Sequence, residues 1–220
     1  MAFLSKCATA PDSGPNRAPK NGIREKKGTL RLQVAVFVSV ISHIREASPR
    51  TQARLAGVLY LLSVVTAVLA EAFVRGRWLY AAGLAPVLCF SALTLLLYGI
   101  FKPVNRGLAL LAATFNLVGL AFEALEWHLG AINVALVFHG LYCLATGCLV
   151  FRSTFLPRIL GVLMALGGLA WLTALSAPLA DHLHPWNVAL GFLGEGSLML
   201  WFLVLGVNVR PWRELAARAR

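Results

Sequence analysis

Beyond about residue 50 the chain alternates long apolar runs with short polar breaks. Six runs approach the length of about 20 residues that a helix needs to cross roughly 30 Å of hydrocarbon while satisfying its own backbone hydrogen bonds. They cover residues 54–74, 81–101, 106–126, 130–151, 158–177 and 186–208. The breaks contain Gly, Pro, Asn or charge, which punctuate helix ends, and Pro103, Pro157, Pro178, Pro185 and Pro211 flank the runs. The pattern predicts an all-α fold: a polytopic membrane helix bundle whose six transmembrane helices occupy residues 51–210. A short basic tail follows at 211–220.

Residues 1–50 have a different texture, with four of the ten prolines and nine of the 20 basic residues. Residues 1–29 are rich in Pro, Gly, Ser and Lys, a composition with too little to bury to pay for ordering. Leu30 to Ile44 is apolar but only 15 residues long and holds Arg31 and Gln33, which suits a helix lying in the interface better than a seventh span. No apolar run followed by small residues marks a signal peptide in the first 30 positions. The expectation is a disordered or interfacial tail that need not belong to the working domain.

Composition supports the membrane reading. Hydrophobic residues make up 59% and charged residues 13%, against roughly 45–50% and about 25% in soluble domains, which excludes an ordinary soluble globule. The net charge of +11 would elsewhere point to nucleic acid, but its distribution gives it another meaning. On one side of the spans lie Arg45, Arg50, Arg54, Lys102, Arg106, Arg152, Arg158, Arg210, Arg213, Arg218 and Arg220, and on the other only Arg75 and Arg77. Cations gather on the cytoplasmic side, so both termini are expected in the cytoplasm. Trp78, Tyr80, Trp127 and Trp186 sit in the outer connections, where aromatic anchors belong. Arg54, Arg106, Arg158 and Arg210 recur every 52 residues; a duplicated hairpin would give that spacing, as would any tightly looped pair of spans.

Charge inside a span is costly unless it faces the bundle interior, so such residues are candidate functional groups. They are Glu71, Glu123, Glu126, His139 and Glu195, joined by the polar Asn116. At about 1.5 Å per residue, Asn116, His139 and Glu195 reach a middle layer, while Glu71, Glu123 and Glu126 lie near the outer boundary under Arg75 and Arg77. Ala109, Ala112, Asn116, Gly119, Glu123 and Glu126 share one face of their helix, as do Tyr60, Ser63, Ala67 and Glu71 on another. His139 aligns with Tyr142, Cys143 and Thr146. The arrangement predicts a water-accessible pocket open to the outside, with Glu195 and His139 at its base and Asn116, Glu123 and Glu71 as further candidate ligand-binding residues. Each also has a plainer role: Glu71 can pair with Arg75 at the boundary, Glu195 can glue helices together, and His139 can simply pack. Gly140 and Gly147, with Gly161, Ala165 and Gly168, fit close helix crossings.

The cysteines, Cys7, Cys89, Cys143 and Cys148, form no Cys-x-x-Cys pair and read as small packing residues. No cofactor or metal site is expected from spacing.

Four runs carry a resemblance: Arg54-Leu-Ala-Gly-Val-Leu-Tyr-Leu-Leu, Phe101-Lys-Pro-Val-Asn-Arg, Phe151-Arg-Ser-Thr-Phe-Leu-Pro-Arg-Ile-Leu-Gly-Val-Leu-Met-Ala and Gly194-Glu-Gly-Ser-Leu. Over residues 50–210 the chain resembles the bacterial multi-pass membrane proteins grouped as domain of unknown function 4386. The resemblance implies a bacterial inner-membrane location; it supplies no activity. The chain departs from many members in its long N-terminal tail and in a short connection at residues 127–130.

Three functions compete. The first is a non-enzymatic membrane protein that binds or moves a small molecule or a proton through its pocket. The second is a scaffold or accessory subunit whose polar groups only hold helices together. The third is an intramembrane metal hydrolase using residues among Glu123, Glu126, His128, His139, Asp181, His182 and His184, a set without any His-Glu-x-x-His spacing. Expected partners are the lipid bilayer and a small molecule or proton; nucleic acid is not expected, since membrane orientation accounts for the cations.

Overall fold

The computed structural model describes residues 48–73, 78–125, 129 and 132–219, and within these it leaves aside the side chains of residues 70, 71, 73 and 78–82. The predicted N-terminal tail, Arg75, Arg77, Glu126, Trp127 and His128 lie outside the described residues, as do the side chains of Glu71, Trp78 and Tyr80.

The apolar runs are helices: α1 (Pro49–Phe73), α2 (Trp78–Phe101), α3 (Arg106–Ala124), α4 (Val134–Arg152), α5 (Arg158–Trp171), α6 (Ala177–Leu183), α7 (Trp186–Val204) and α8 (Val209–Arg218). Six of them supply stretches long and apolar enough to cross a membrane, which fits the expected bundle. Boundaries shift where local chemistry decides them. α4 begins four residues later than its apolar run, because Asn133 caps it by accepting the amide of Leu136 at 3.2 Å. Asn105 does the same for α3 through the amide of Leu108 at 2.9 Å; each cap satisfies one of the amides a helix start leaves open. α5 gives way to a 3₁₀ turn at Leu172–Leu175. Two short helices replace expected irregular segments. α6 occupies the connection before the last span, and α8 occupies most of the C-terminal tail.

Each spanning helix packs against its sequence neighbours, and α7 returns to α1, so the six close into a ring. Glycines set the tight crossings. A Cβ on Gly57 would lie 2.7 Å from the amide nitrogen of Leu203, where α7 meets α1. Between α4 and α5, a Cβ on Gly168 would lie 2.8 Å from the Gly140 carbonyl, and one on Gly161 would lie 2.6 Å from the Phe151 amide nitrogen. Small residues at both crossings let backbones touch, the packing expected where lipid offers no hydrophobic drive between helices. The exterior is apolar, with Val58, Leu62, Val65, Leu110, Leu111, Leu169 and Leu200 exposed, as a lipid-facing surface requires.

The ring interior is filled at one end and hollow at the other. At the end marked by Arg54, Arg106, Arg152 and Arg158, the fully buried Leu93, Ile100, Met164, Leu198 and Phe202 pack solid. Gly206, at φ 70°, lets the chain leave α7 in the left-handed region that glycine tolerates. Just beyond, the Asn208 amide donates to the Phe155 carbonyl at 3.3 Å. The Trp212 indole of α8 donates to the Ile100 carbonyl at 2.9 Å, which holds α8 against the end of α2.

Candidate functional site

The other half of the ring encloses a cavity of about 550 Å³. It runs from Tyr60, Asn116, His139 and Glu195 in the middle of the bundle to Val68, Gly83, Ala124 and Ala135 at the end away from the arginines. The walls are mainly apolar, with few polar groups converging at the floor, the usual make-up of a small-molecule site.

Glu195 organises that floor. It stands on α7 and is 8% exposed. Three donors from three other helices reach its carboxylate. The Tyr60 hydroxyl on α1 donates to Oε2 at 2.5 Å, and the Trp171 indole at the end of α5 donates to Oε1 at 2.7 Å. His139 Nε2 on α4 is hydrogen-bonded to the same Oε1 at 2.9 Å. A carboxylate in a low-dielectric interior needs such partners, because leaving it unpaired there costs several kcal/mol. Gly191 makes the Trp171 bond possible: one turn before Glu195, a Cβ at this position would lie 2.5 Å from the indole ring.

Aromatic rings surround the pair. Phe90 on α2 meets Tyr60 edge-on at 5.2 Å between centroids and lies 5.6 Å from the His139 ring. Trp171 stands edge-on to Phe192 at 5.7 Å. On the α2–α3 side, the Asn116 amide donates to the Thr94 hydroxyl, which itself donates to the Phe90 carbonyl at 2.7 Å. Asn116 is thereby held at the cavity floor by its neighbouring helix.

Of the residues singled out from the sequence, Asn116, Glu123, His139 and Glu195 all line this one cavity. Glu123 is exposed and stands toward its far end, while the other three form the floor. The Glu71 side chain lies outside the described residues. The face shared by Tyr60, Ser63 and Ala67 also lines the cavity. Asp181, His182 and His184 are exposed on or beside α6, and they form no metal-ligand group with His139 among the described residues.

Trp171, Phe90 and Thr94 were not legible as site residues. An aromatic or threonine within an apolar span carries no sign of which way it faces. The one signal for Trp171 was the small residue at Gly191, which marks a space on the facing helix without saying what fills it. Cys143 is another addition. It is fully buried, and its sulfur lies in a group with donor atoms of His139 and Glu195, all within 4.8 Å of one another.

No curated protein and no solved structure matches the chain. The runs Phe151–Ala165 and Gly194–Leu198 fall inside a family match, together with His139, Cys143, Trp171 and Glu195, whereas Tyr60, Phe90 and Asn116 precede it. That match spans residues 120–206 and is to the family described as Domain of unknown function (DUF4386), which this stretch of the chain resembles.

Proposed function

We propose that the chain is a six-span protein of the bacterial inner membrane, with both termini in the cytoplasm, and that its cavity is an outward-facing pocket binding or moving a small ligand or a proton. The orientation rests on the eleven Lys and Arg residues on one side against Arg75 and Arg77 on the other. The binding role rests on one observation: an ionisable carboxylate hydrogen-bonded to an imidazole stands at the floor of a 550 Å³ cavity rather than in solid packing. An intramembrane acid paired with His is the usual equipment of a proton relay or ligand counter-charge.

The test is proton and ligand binding by the detergent-purified protein, compared with Glu195→Gln and His139→Ala. The wild type is expected to take up about one proton per chain that both variants lose, and native mass spectrometry is expected to find retained ligand only on the wild type. Wild-type behaviour in both variants removes these residues from the mechanism.

A scaffold role has its own support, because the Glu195 carboxylate ties α7 to α1, α4 and α5. On that reading Glu195→Gln lowers stability or assembly, and no ligand or proton uptake is found in any form of the protein.

A further inference from the structure

We infer that His139, Cys143 and Glu195 form a binding site for a divalent transition cation of the zinc class at the cavity floor. The inference deepens the pocket reading and rests on it for the route by which the ion arrives.

The donor set carries the argument. His139 and Cys143 are one turn apart on α4 and project from one face, with Glu195 opposite them on α7. Imidazole, thiolate and carboxylate are the three ligand types that zinc takes, and here one atom of each lies within 4.8 Å of the others. Neighbouring ligands in a tetrahedral zinc site are roughly 3.5 Å apart, so closing on an ion asks for side-chain movements of about 1 Å. Two further groups already fix the carboxylate: Tyr60 at 2.5 Å and Trp171 at 2.7 Å. Metal-bound carboxylates are held by such partners, and removing one typically costs 10–100-fold in affinity. Three protein ligands leave a fourth position open, and the cavity beside them can fill it with water or a bound molecule.

Charge balance explains how a dication is tolerated inside the membrane. Without the ion, His139 and Glu195 sharing one proton are together neutral, and so is the Cys143 thiol. A dication that enters displaces the shared proton and the thiol proton into the cavity. It is then bound by a neutral imidazole, a carboxylate and a thiolate, and the site is again neutral. Two protons leave for each ion, nothing is oxidised or reduced, and no net charge is buried in either state, which avoids the large cost of an uncompensated intramembrane charge.

Cobalt(II) is the probe, added alone to the full-length detergent-purified protein in weak buffer with a pH indicator. One ion per chain is expected, with a thiolate-to-cobalt charge-transfer absorption and release of two protons per ion; zinc should abolish the absorption by displacement. Cys143→Ser should lose the band, whereas a Cys7→Ser, Cys89→Ser, Cys148→Ser triple variant keeps it. Tyr60→Phe should weaken cobalt binding about 10–100-fold. Absence of the band in saturated wild type, or its persistence in Cys143→Ser, overturns the inference. Should Cys143→Ser fail to fold by circular dichroism, X-ray absorption at the zinc edge of the triple variant decides. One sulfur neighbour at about 2.3 Å supports the site, and none overturns it. Cys143 plays no part in the pocket reading, so a wild type that takes up protons yet binds no cobalt defeats the metal site alone. Absence of proton uptake by the wild type in that reading's own test defeats the pocket.

Discussion

His139 Nε2 meets Glu195 Oε1 at 2.9 Å across the interior of the helix ring, joining α4 to α7 where the cavity ends and the solid core begins. Tyr60 and Trp171 reach the same carboxylate from the two helices that flank α7. One side chain therefore joins four of the six spanning helices.

This convergence makes Glu195 a stability determinant whatever it binds. Glu195→Leu strands the buried Tyr60 and the half-buried His139 and Trp171, and an orphaned buried polar group costs about 1–3 kcal/mol, less where other partners can be found within a bilayer. We expect a loss of about 2–4 kcal/mol in detergent unfolding. Glu195→Gln keeps an acceptor oxygen and should lose less. Unchanged stability of Glu195→Leu would show that the hydrogen bonds contribute nothing net.

The Gly191–Trp171 contact should behave as a lock and key. Gly191→Ala places a Cβ against the indole and is expected to cost about 1–3 kcal/mol through overpacking. In a Trp171→Ala background the same substitution should cost much less, so the double-mutant cycle is strongly non-additive. Additive effects would mean that the ring is not what Gly191 makes room for.

Two glycines offer a paired test of the helix crossings. A Cβ on Gly161 meets the backbone of α4, whereas one on Gly196 meets nothing within 4 Å. Gly161→Ala should therefore destabilise the protein by about 1–3 kcal/mol. Gly196→Ala should be neutral or gain up to about 1 kcal/mol from helix propensity. Equal effects in thermal unfolding would contradict the packing described for α4 and α5.

Tyr142 is fully buried on α4, and its hydroxyl, with the Thr146 side chain one turn away as a polar neighbour, makes no hydrogen bond of good geometry among the described residues. Tyr142→Phe removes the buried polar atom and keeps the ring, so stability should stay within about 0.5 kcal/mol of wild type or rise. A clear loss of stability, measured in the same unfolding assay, would show that the hydroxyl is hydrogen-bonded in the folded protein.

Much of the site's level in the bundle was legible from the chain. Counting residues from the ends of apolar runs puts Asn116, His139 and Glu195 in one middle layer, and the structure gathers all three at one cavity floor. Small residues alongside them marked the inward faces of α1 and α3. What could not be read was partnership. Tyr60 looked like one polar member of a face, Trp171 like another apolar residue of its span, and Cys143 like a packing residue. Their closeness to Glu195 depends on which helices are neighbours and how each is turned.

The sequence by itself determined the number of apolar spans, their approximate ends and the residues that interrupt them, because the cost of unsatisfied backbone in hydrocarbon leaves a long apolar helix as the only reading of such runs. Only the tertiary structure decided that the six helices close into a ring, solid at the arginine end and hollow at the other. The physical reason is that lipid and protein interior are equally apolar. A helix such as α4, half of it buried inside the protein, gathers His139, Tyr142, Cys143 and Thr146 on one side, but that face does not say which helix it meets. The meeting of His139 and Cys143 with Glu195 goes with close backbone contact between α4 and α5 at Gly140, Gly147, Gly161 and Gly168, which no hydrophobic pattern records.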